Sequence, residues 1–466
     1  MAKKDTSDFR EHLSNVNQRT GKRTWIYPKI ISGRFYRYRS WFSAALLLLL
    51  FIGPWLRWKG HPLFLFDVLE RKFIIAGIPF FPQDFYLLAL GLLSFIVFIM
   101  LFTSIFGRLF CGWICPQTVF MEMVFRRIEN WIEGNASAQK KLDEGPLNLE
   151  KIWKKTAKHT LFWLISFLIA NTFLAYLIGS DALLKIITEP IALHTGGFVS
   201  ILVFTTVFYL VFAKLRELVC IMICPYGRLQ GVLLDQNSVV VAYDHKRGEP
   251  RGRLVKGEMA AGKGDCVDCG LCVEVCPTGI DIRNGTQLEC VSCTACMDAC
   301  DSVMHKINKP LGLIRYASEN QIVAQKGFTY SARMKAYTAF FVVLFGVFAT
   351  LLALRKDLQA SVLRTPGTTF VRQQDGTVAN FFLLKLTNKT FHDMKVQVAL
   401  DGIPARIQLL SDRIEIKGGE HLSLPVIVHM KQADIKENTT PFQVLVSAEN
   451  KEMNRVKLFF NGPVFD

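Results

Sequence analysis

The sequence predicts a multi-domain membrane protein with three parts: an α-helical transmembrane bundle of about five spans, a cysteine-rich domain between two spans, and a C-terminal all-β domain. Three observations lead to this prediction. Of the 466 residues, 51% are hydrophobic, which is more than a soluble protein needs. Eight of the 12 cysteines lie between Cys266 and Cys300. Residues 357–466 contain no cysteine and show repeated alternation of apolar and polar residues.

Five apolar runs match the length of about 20 residues that a bilayer requires, or come close to it. They are Ser40–Leu56, Phe85–Phe106, Thr160–Ile178, Phe198–Leu215 and Ala336–Leu354. Residues 1–39 and 107–159 hold 10 and 9 Lys or Arg residues, whereas the loops after the first and third spans hold only 4 and 1. The positive-inside rule therefore predicts that the N-terminus and the cysteine-rich domain are cytoplasmic and that the C-terminal domain lies outside.

The net charge of +16 belongs to this topological pattern. The basic residues lie mostly beside apolar segments and do not alternate with aromatic residues on one face, so we expect the lipid bilayer as a partner and no nucleic acid. The predicted domains are a basic arm (1–39), a four-span membrane domain (40–225), a cytoplasmic domain (226–335), a fifth span (336–356) and an outer β domain (357–466).

The cysteine-rich domain contains two copies of the spacing C-x2-C-x2-C-x3-C, which is typical of proteins with two 4Fe-4S clusters. In this pattern three cysteines of one copy bind one cluster, and the fourth binds the other cluster. The predicted ligand sets are Cys266, Cys269, Cys272 and Cys300 for the first cluster, and Cys276, Cys290, Cys293 and Cys296 for the second. Structural zinc uses pairs of cysteines with long spacers, and disulfides require an oxidising compartment, so both are disfavoured. The domain is predicted to be ferredoxin-like, with Asp301 where the first copy has Pro277.

The remaining four cysteines form two C-x3-C-P pairs, Cys111 with Cys115 and Cys220 with Cys224, each at the end of a predicted span. Equivalent cysteines of the two pairs are 109 residues apart, which indicates a duplicated hairpin with a site between its copies. On a helix each pair shares one face, so four soft ligands converge in this prediction. Such ligands select Cu(I), zinc or iron–sulfur clusters, and Met222 and Met121 or Met123 are candidate thioether ligands. The alternative is that these cysteines are small buried core residues.

The C-terminal domain is predicted to be immunoglobulin-like, because short alternating runs separated by turn residues are typical of a β-sandwich. The expected strands are Phe381–Leu386, Lys395–Leu400, Leu422–His429, Phe442–Ala448 and Val456–Phe460. No G-x-G-x-x-G fingerprint occurs, so a nicotinamide or flavin domain is not supported.

Further motifs accompany the cysteines along the chain. They are Tyr27-Pro28, Gly33-Arg34-Phe35, Pro82-Gln83-Asp84-Phe85-Tyr86, Cys111-Gly112-Trp113-Ile114-Cys115-Pro116-Gln117-Thr118, Cys224-Pro225-Tyr226-Gly227-Arg228 and Leu386-Thr387-Asn388-Lys389-Thr390. Together they resemble the family of cytochrome c oxidase accessory proteins that includes CcoG, FixG and RdxA.

The resemblance implies a bacterial inner-membrane protein that reduces Cu(II) to Cu(I) for assembly of a cbb-type cytochrome c oxidase. Oxidase assembly factors or copper-delivery proteins would then be partners. The resemblance also implies an immunoglobulin-like C-terminal domain in the periplasm. The membrane part is similar to electron-transfer subunits of the NapH type as well.

The resulting hypothesis is that a cytoplasmic donor reduces the two clusters, which pass single electrons to copper bound near Cys111, Cys115, Cys220 and Cys224. Two alternatives stay open from the sequence: a quinol-linked electron-transfer subunit of the NapH type, and an oxidase assembly scaffold without a redox role.

Overall fold

The computed structural model describes residues 23–58, 60–68, 72–253, 262–325, 327–409, 414–448 and 451–463. Most of the predicted basic arm therefore lies outside the described residues. The chain divides into two compact units: residues 1–55 with Leu90–Gly346, and Leu56–Ala89 with Val347–Asp466.

The helices are α1 (Arg34–Ile52), α2 (Phe85–Phe106), α3 (Leu109–Trp113), α4 (Pro116–Val119), α5 (Arg126–Glu133), α6 (Ala136–Glu144), α7 (Leu149–Ile178), α8 (Ser180–Thr188), α9 (Thr195–Leu210), α10 (Pro225–Leu233), α11 (His245–Gly248), α12 (Leu271–Glu274), α13 (Ala295–Lys306), α14 (Glu319–Ala324) and α15 (Ala332–Ala353). Three wider π-helical turns occur at Phe120–Phe125, Val211–Leu215 and Val219–Ile223.

The strands are β1 (Arg57–Trp58), β2 (His61–Pro62), β3 (Leu65–Asp67), β4 (Lys72–Ile75), β5 (Ile78–Phe80), β6 (Val240–Tyr243), β7 (Ile314–Ala317), β8 (Leu358–Arg364), β9 (Val371–Arg372), β10 (Thr377–Asn388), β11 (Met394–Asp401), β12 (Ala405–Gln408), β13 (Ile414–Ile416), β14 (His421–Lys431), β15 (Thr439–Ala448) and β16 (Lys451–Asn461).

Four helical segments in the described residues are long and apolar enough to cross a membrane: Pro82–Phe106, Leu149–Ile178, Thr195–Leu215 and Ala332–Ala353. They coincide with the second to fifth predicted spans. The chain is therefore a multi-domain membrane protein with a helical membrane part.

The first predicted span falls on α1, which is not among these four segments. Helix α1 begins at Arg34, six residues before the predicted start, and ends at Ile52. Its first turns carry three arginines, one of which, Arg39, is buried. The apolar part of α1 is consequently much shorter than a full span, and a fifth crossing stays a prediction.

The start of α1 is fixed by the cysteine-rich domain. The carboxylate of Asp298 on α13 accepts hydrogen bonds from the main-chain N–H groups of Phe35 (3.1 Å) and Tyr36 (2.7 Å). These are N–H groups of the first helical turn, which have no partner inside the helix. A Cβ at Gly33 would lie 2.2 Å from the Asp298 side chain, so only glycine fits there. The arm and the cysteine-rich domain are thus joined.

Buried charges join the two halves of the predicted hairpin repeat. Arg216, which follows the Val211–Leu215 turn, donates two hydrogen bonds to the Glu129 carboxylate on α5, at 3.1 and 2.6 Å. Lys158 on α7 lies 3.4 Å from the same carboxylate. These cations hold the pKa of Glu129 below its usual range despite its burial. This network sets the position of one cysteine pair relative to the other.

The second unit contains a β-sandwich. One sheet has the order β12-β14-β10-β8, with β9 paired to β10, and the other has the order β13-β11-β15-β16; all pairs are antiparallel. Each of the five expected strands lies inside an observed strand, whereas β8, β9, β12 and β13 were not expected. The inward-facing residues form one continuous core between the sheets.

The segment before α2 also belongs to this second unit. Its strands β3, β4 and β5 form a small antiparallel sheet. Asp84, which is fully buried, forms ion pairs with Arg355 (2.7 Å) and Lys389 (2.5 Å). One carboxylate therefore holds two cations from the C-terminal part of the chain, and the Asp84 and Lys389 motifs found in the sequence meet here.

Candidate iron–sulfur and thiol site

The two cysteine loops of the predicted cluster domain have the same backbone conformation. Asp268 and Ser292 precede the second cysteine of each copy and both adopt left-handed conformations (φ 51° and 53°). Gly270 and Thr294, which follow that cysteine, do the same (φ 71° and 66°). Helices α12 and α13 begin directly afterwards. The sequence repeat is thus also a structural repeat.

Each predicted set of four cysteines lines one cavity. Cys266, Cys269, Cys272 and Cys300 line the first cavity, together with apolar side chains such as Leu313 and Ile314. The second cavity is lined by Cys276, Cys290, Cys293 and Cys296, and Cys272 also reaches it. The structure therefore brings together the two sets predicted from spacing, including the exchanged fourth cysteines.

The two cavities differ in exposure. Cys269 in the first set is exposed to solvent, whereas no cysteine of the second set is exposed. Burial raises thiol pKa values in both cavities, to about 12 for Cys272 and Cys300 in the first, and to about 11 for Cys290 and about 12 for Cys293 in the second. Binding of iron to such thiols must displace their protons.

Asp301 is the point at which the second copy departs from the first. Helix α13 continues past Cys300 to Lys306, and proline inside a helix would remove a main-chain hydrogen bond and collide with the preceding turn. The Asp301 carboxylate instead accepts a hydrogen bond from the N–H of Gly312 at 2.9 Å. Asp301 thus joins this helix to the chain that leads into β7.

The two C-x3-C-P pairs share one local structure, but it is not the regular helix that the sequence predicted. The N–H of Cys115 donates to the carbonyl of Phe110 (3.0 Å), and the N–H of Cys224 donates to the carbonyl of Val219 (2.8 Å). Both bonds span five residues, one more than in an α-helix. Cys115 and Cys224 are extended (ψ 124° and 113°), as the following proline requires.

The four thiols of these pairs lie close enough to influence one another. Burial raises the pKa of Cys220 to about 12, and the neighbouring thiols of Cys115, Cys111 and Cys224 act in the same direction. Burial likewise raises the pKa of Cys111 to about 11, against which the side-chain amide of Gln230 acts by donating to Cys111 Sγ at 3.2 Å. The two pairs are therefore neighbours, whereas their convergence on one shared ligand site stays a prediction.

No three His, Cys, Asp or Glu side chains within the described ranges converge tightly enough to hold a single metal ion. The eight cysteines of the cluster domain instead surround two cavities, which suits a multi-iron cluster.

Among the methionines proposed from sequence, Met121 lines a cavity with a cysteine of the pairs, namely Cys220. Met222 is exposed, and Met123 contacts Ser40 and Arg127.

The thiol pairs and the second cluster cavity lie directly next to each other. Gly112, between Cys111 and Cys115, packs its backbone against Val291 and Ser292 of the second cysteine loop. A Cβ there would lie 2.5 Å from the Val291 carbonyl oxygen. The cavity at Cys220 is also lined by Pro277, Thr278 and Val291. The cavity whose cysteines are all shielded from solvent is therefore the one adjacent to the four thiols.

Sequence reasoning missed Arg39, Arg108 and Gln230, which all contact this region. The two arginines adjoin apolar runs and were assigned to membrane topology.

Comparisons with known proteins agree with this architecture. A family model described as a 4Fe-4S dicluster domain matches residues 215–319, and one described as a 4Fe-4S binding domain matches residues 88–136. A third, described as the IG-like fold at the C-terminus of FixG, matches residues 348–463.

The chain is 37% identical over 434 residues to the nitrogen fixation protein FixG of Rhizobium meliloti, covering 82% of this chain and 80% of FixG. It is 35% identical over 418 residues to protein RdxA of Cereibacter sphaeroides, covering 87% of each. A crystal structure of a FixG-related protein from Vibrio parahaemolyticus is 20% identical, with a TM-score of 0.22, and covers 24% of this chain and 100% of that chain. From its cysteine architecture and these relatives, the chain belongs to the FixG/RdxA family and is an iron–sulfur electron-transfer membrane protein.

Proposed function

We propose that this protein is a cupric reductase that converts Cu(II) to Cu(I) for assembly of a cbb-type cytochrome c oxidase. The observation that carries the proposal is the contact between Gly112 and the loop Val291–Ser292, because it makes the four thiols direct neighbours of a cluster cavity. Each turnover needs one electron per copper ion, and one-electron transfer is the chemistry that 4Fe-4S clusters supply.

The cluster ligands in this proposal are the two sets that line the cavities. Cys266, Cys269, Cys272 and Cys300 hold the first cluster, and Cys276, Cys290, Cys293 and Cys296 hold the second. The residues fit such clusters, since eight thiols enclose two cavities and buried guanidinium groups adjoin the second of them. The exposure of Cys269 supports approach of the donor at the first cluster, and the contact at Gly112 supports departure of electrons from the second cluster towards the four thiols.

In this proposal copper is the substrate, and the four thiols that bind it are those of Cys111, Cys115, Cys220 and Cys224. Thiolate sulfur stabilises Cu(I) over harder cations, so binding there favours the reduced product. Because copper binds here only transiently as a substrate, its ligands do not need to form a complete coordination site before it binds. Met121, buried in the cavity of Cys220, is a further soft ligand for the ion.

The clusters face the cytoplasm of a bacterial inner membrane in this proposal, and the immunoglobulin-like domain faces the periplasm. The number of Lys and Arg residues alternates between high and low in successive connecting segments, which supports this orientation. A cytoplasmic donor then supplies the electrons, and copper-delivery proteins or oxidase assembly factors receive Cu(I).

A variant with Cys111→Ser and Cys220→Ser tests the assignment. Purified full-length protein is reduced anaerobically, freed of reductant, and given Cu(II) in the presence of a chromogenic Cu(I) chelator. We expect the wild type to form Cu(I) and the variant to lose most of this activity, with its iron content unchanged at about eight atoms per chain.

Undiminished Cu(I) formation and copper binding by the variant would move the copper site elsewhere. An iron content of about twelve atoms per chain in the wild type, falling to about eight in the variant, would assign the four thiols to a third cluster instead. Oxidation of a quinol analogue without copper would favour the NapH-type alternative. Normal oxidase maturation in cells that carry only a cluster-ligand variant would favour the scaffold.

A further inference from the structure

Two buried arginines lie between the thiol pairs and the second cluster cavity. Arg39 on α1 is 4% exposed; its Nε donates to the carbonyl of Gly112 at 2.8 Å, and its Nη1 donates to the carbonyl of Cys293 at 3.4 Å. Arg108 is 5% exposed and donates through Nη2 to the carbonyl of Gly227, which follows the second cysteine pair. Each guanidinium therefore holds the backbone of one C-x3-C-P segment.

Neither arginine forms an ion pair with a carboxylate in the part of the chain that the structure describes. Within that part, Nη2 of Arg39 and Nε of Arg108 are also without a hydrogen-bond partner. Arg126 and Arg216, two other buried arginines of the same unit, also have nitrogens without a hydrogen-bond partner in the described residues, but each forms an ion pair. Arg126 lies 3.2 Å from Glu122, and Arg216 lies 2.6 Å from Glu129. Because a buried cation without an anion is unfavourable, the region of Arg39 and Arg108 must receive negative charge from a ligand.

The thiols of the second cavity face these two cations. Burial raises the pKa of Cys293, and the positive charge of Arg39 is the largest influence that lowers it. The charge of Arg108 likewise lowers the pKa of Cys290, which burial raises. Arg108 also lowers the pKa of Cys111, so its positive charge acts on both the second cavity and the thiol pairs. A cluster held by four thiolates carries negative charge, and it would be the anion that these arginines lack.

Among the described residues, the first cavity has no comparable excess of positive charge. Arg283 lines it, but this guanidinium is paired with Asp281 at 2.7 Å and with Asp268 at 2.5 Å. Asp301 lies near Cys300 and acts on it as a further negative charge. Reduction adds one negative charge to a cluster, and an unpaired cation nearby stabilises that charge, whereas a paired one does so much less.

We propose that the cluster in the second cavity has the higher reduction potential of the two, and that Arg39 and Arg108 are the positioning residues that impose this order through their unpaired charges. The proposal uses the ligand sets given under Proposed function but does not depend on copper. Its consequence is directional: electrons that enter beside the exposed Cys269 are held preferentially beside Gly112, next to the thiol pairs.

An anaerobic redox titration of the purified full-length protein, followed by EPR and without copper, tests this order. We expect two reduction steps in the wild type, and Cys269→Ser, which changes only the first cavity, identifies the lower-potential step. Arg39→Gln and Arg108→Gln should each lower the higher-potential step by at least tenfold in equilibrium constant, about 59 mV for one electron, and leave the other step in place.

The matched control is Arg37→Gln, which removes the same charge from an exposed position on the same helix, and it should move neither step. Arg39→Lys separates charge from hydrogen bonding: it keeps the cation and should retain most of the wild-type potential. The proposal is overturned if Cys269→Ser alters the higher-potential step, or if Arg39→Lys lowers the potential as much as Arg39→Gln. It is also overturned if Arg39→Gln and Arg108→Gln leave both steps unchanged at full iron content. Should Arg39→Gln fail to assemble clusters, Arg108→Gln and Arg39→Lys decide the question.

Discussion

Replacing Gly112 by alanine probes the contact on which the proposed electron transfer depends. The added Cβ would lie 2.5 Å from the Val291 carbonyl oxygen and 2.6 Å from that of Ser292, whereas ordinary contact begins at 3.4 Å. The two segments must therefore separate by about 0.9 Å, because the opposing atoms belong to the main chain and cannot rotate away.

The energetic cost of Gly112→Ala follows from two opposing terms. Overpacking of this kind costs about 1–3 kcal/mol, and the better helix propensity of alanine within α3 offsets up to about 1 kcal/mol. We expect the free energy of unfolding to fall by about 1–2 kcal/mol, which leaves the protein folded. Electron delivery to copper should slow as well, by a few-fold, because the rate of electron transfer falls as the donor and the acceptor move apart.

Stopped-flow mixing of the reduced protein with Cu(II) measures this effect directly, as the rate at which cluster absorbance recovers. The control is Gly196→Ala in α9, where an added Cβ meets nothing within 4 Å. We expect wild-type rates for the control and slow re-oxidation for Gly112→Ala, with equal iron content and equal reduction by dithionite. A wild-type rate in Gly112→Ala would show that the electron does not cross this contact.

Three further predictions concern other parts of the molecule. Asp84→Asn should lower the unfolding free energy of the C-terminal unit by about 3–5 kcal/mol, since it leaves two buried cations unpaired; thermal unfolding of the full chain measures this, and an unchanged midpoint would contradict it. Asp301→Pro should cost about 3 kcal/mol or more in the cluster domain because it interrupts α13; guanidinium-induced loss of cluster absorbance measures it, with Asp301→Asn as the milder control. Copper affinity should rise about tenfold per pH unit for each thiol that binds as thiolate, up to the raised pKa values of about 11 for Cys111 and about 12 for Cys220; chelator competition from pH 6 to 9 measures it, and a flat profile would refute it.

The cluster domain could be predicted in detail because its signals are local. Three cysteines of each set fall within seven residues, so spacing alone fixes which thiols can surround one cavity. The fourth cysteine comes from the other copy, and the repeat predicts this exchange because both copies fold in the same way. Asp301 is visible in the sequence as a departure from the repeat, but its role required the structure, since its hydrogen-bond partner Gly312 lies eleven residues away.

The arginines could not be predicted because their contacts are long-range. Arg39 lies 254 residues from Cys293 along the chain, and no periodicity connects them. In sequence it is one of several arginines before an apolar run, a pattern that the positive-inside rule explains fully. Only packing shows that this guanidinium is buried and lacks a carboxylate partner in the described residues.

The thiol pairs were predicted in part. Their duplication and proximity follow from equal spacing, but an i, i+4 relation on a regular helix does not describe them. Proline forces Cys115 and Cys224 into extended conformations, so each turn closes with a bond across five residues instead of four. This restriction by the following proline was available from the sequence alone.

The loop before α2 also behaves differently from the expected simple connection. It forms small sheets of its own and packs in one unit with the C-terminal domain. The fully buried Asp84 has partners some 270 and 300 residues further along the chain, and an isolated acidic residue at a span entrance gives no sign of them.

The central claim is that electrons stored in the cluster domain reach copper at the four thiols, and EPR of the reduced protein tests it most directly. Spectra are recorded before and after the addition of one equivalent of Cu(II), for the wild type and for the variant with Cys111→Ser and Cys220→Ser. We predict that in the wild type the Cu(II) signal disappears as one reduced-cluster signal is lost per copper ion, and that both signals persist in the variant. Persistence of both signals in the wild type, or equal loss in the variant, would contradict the account.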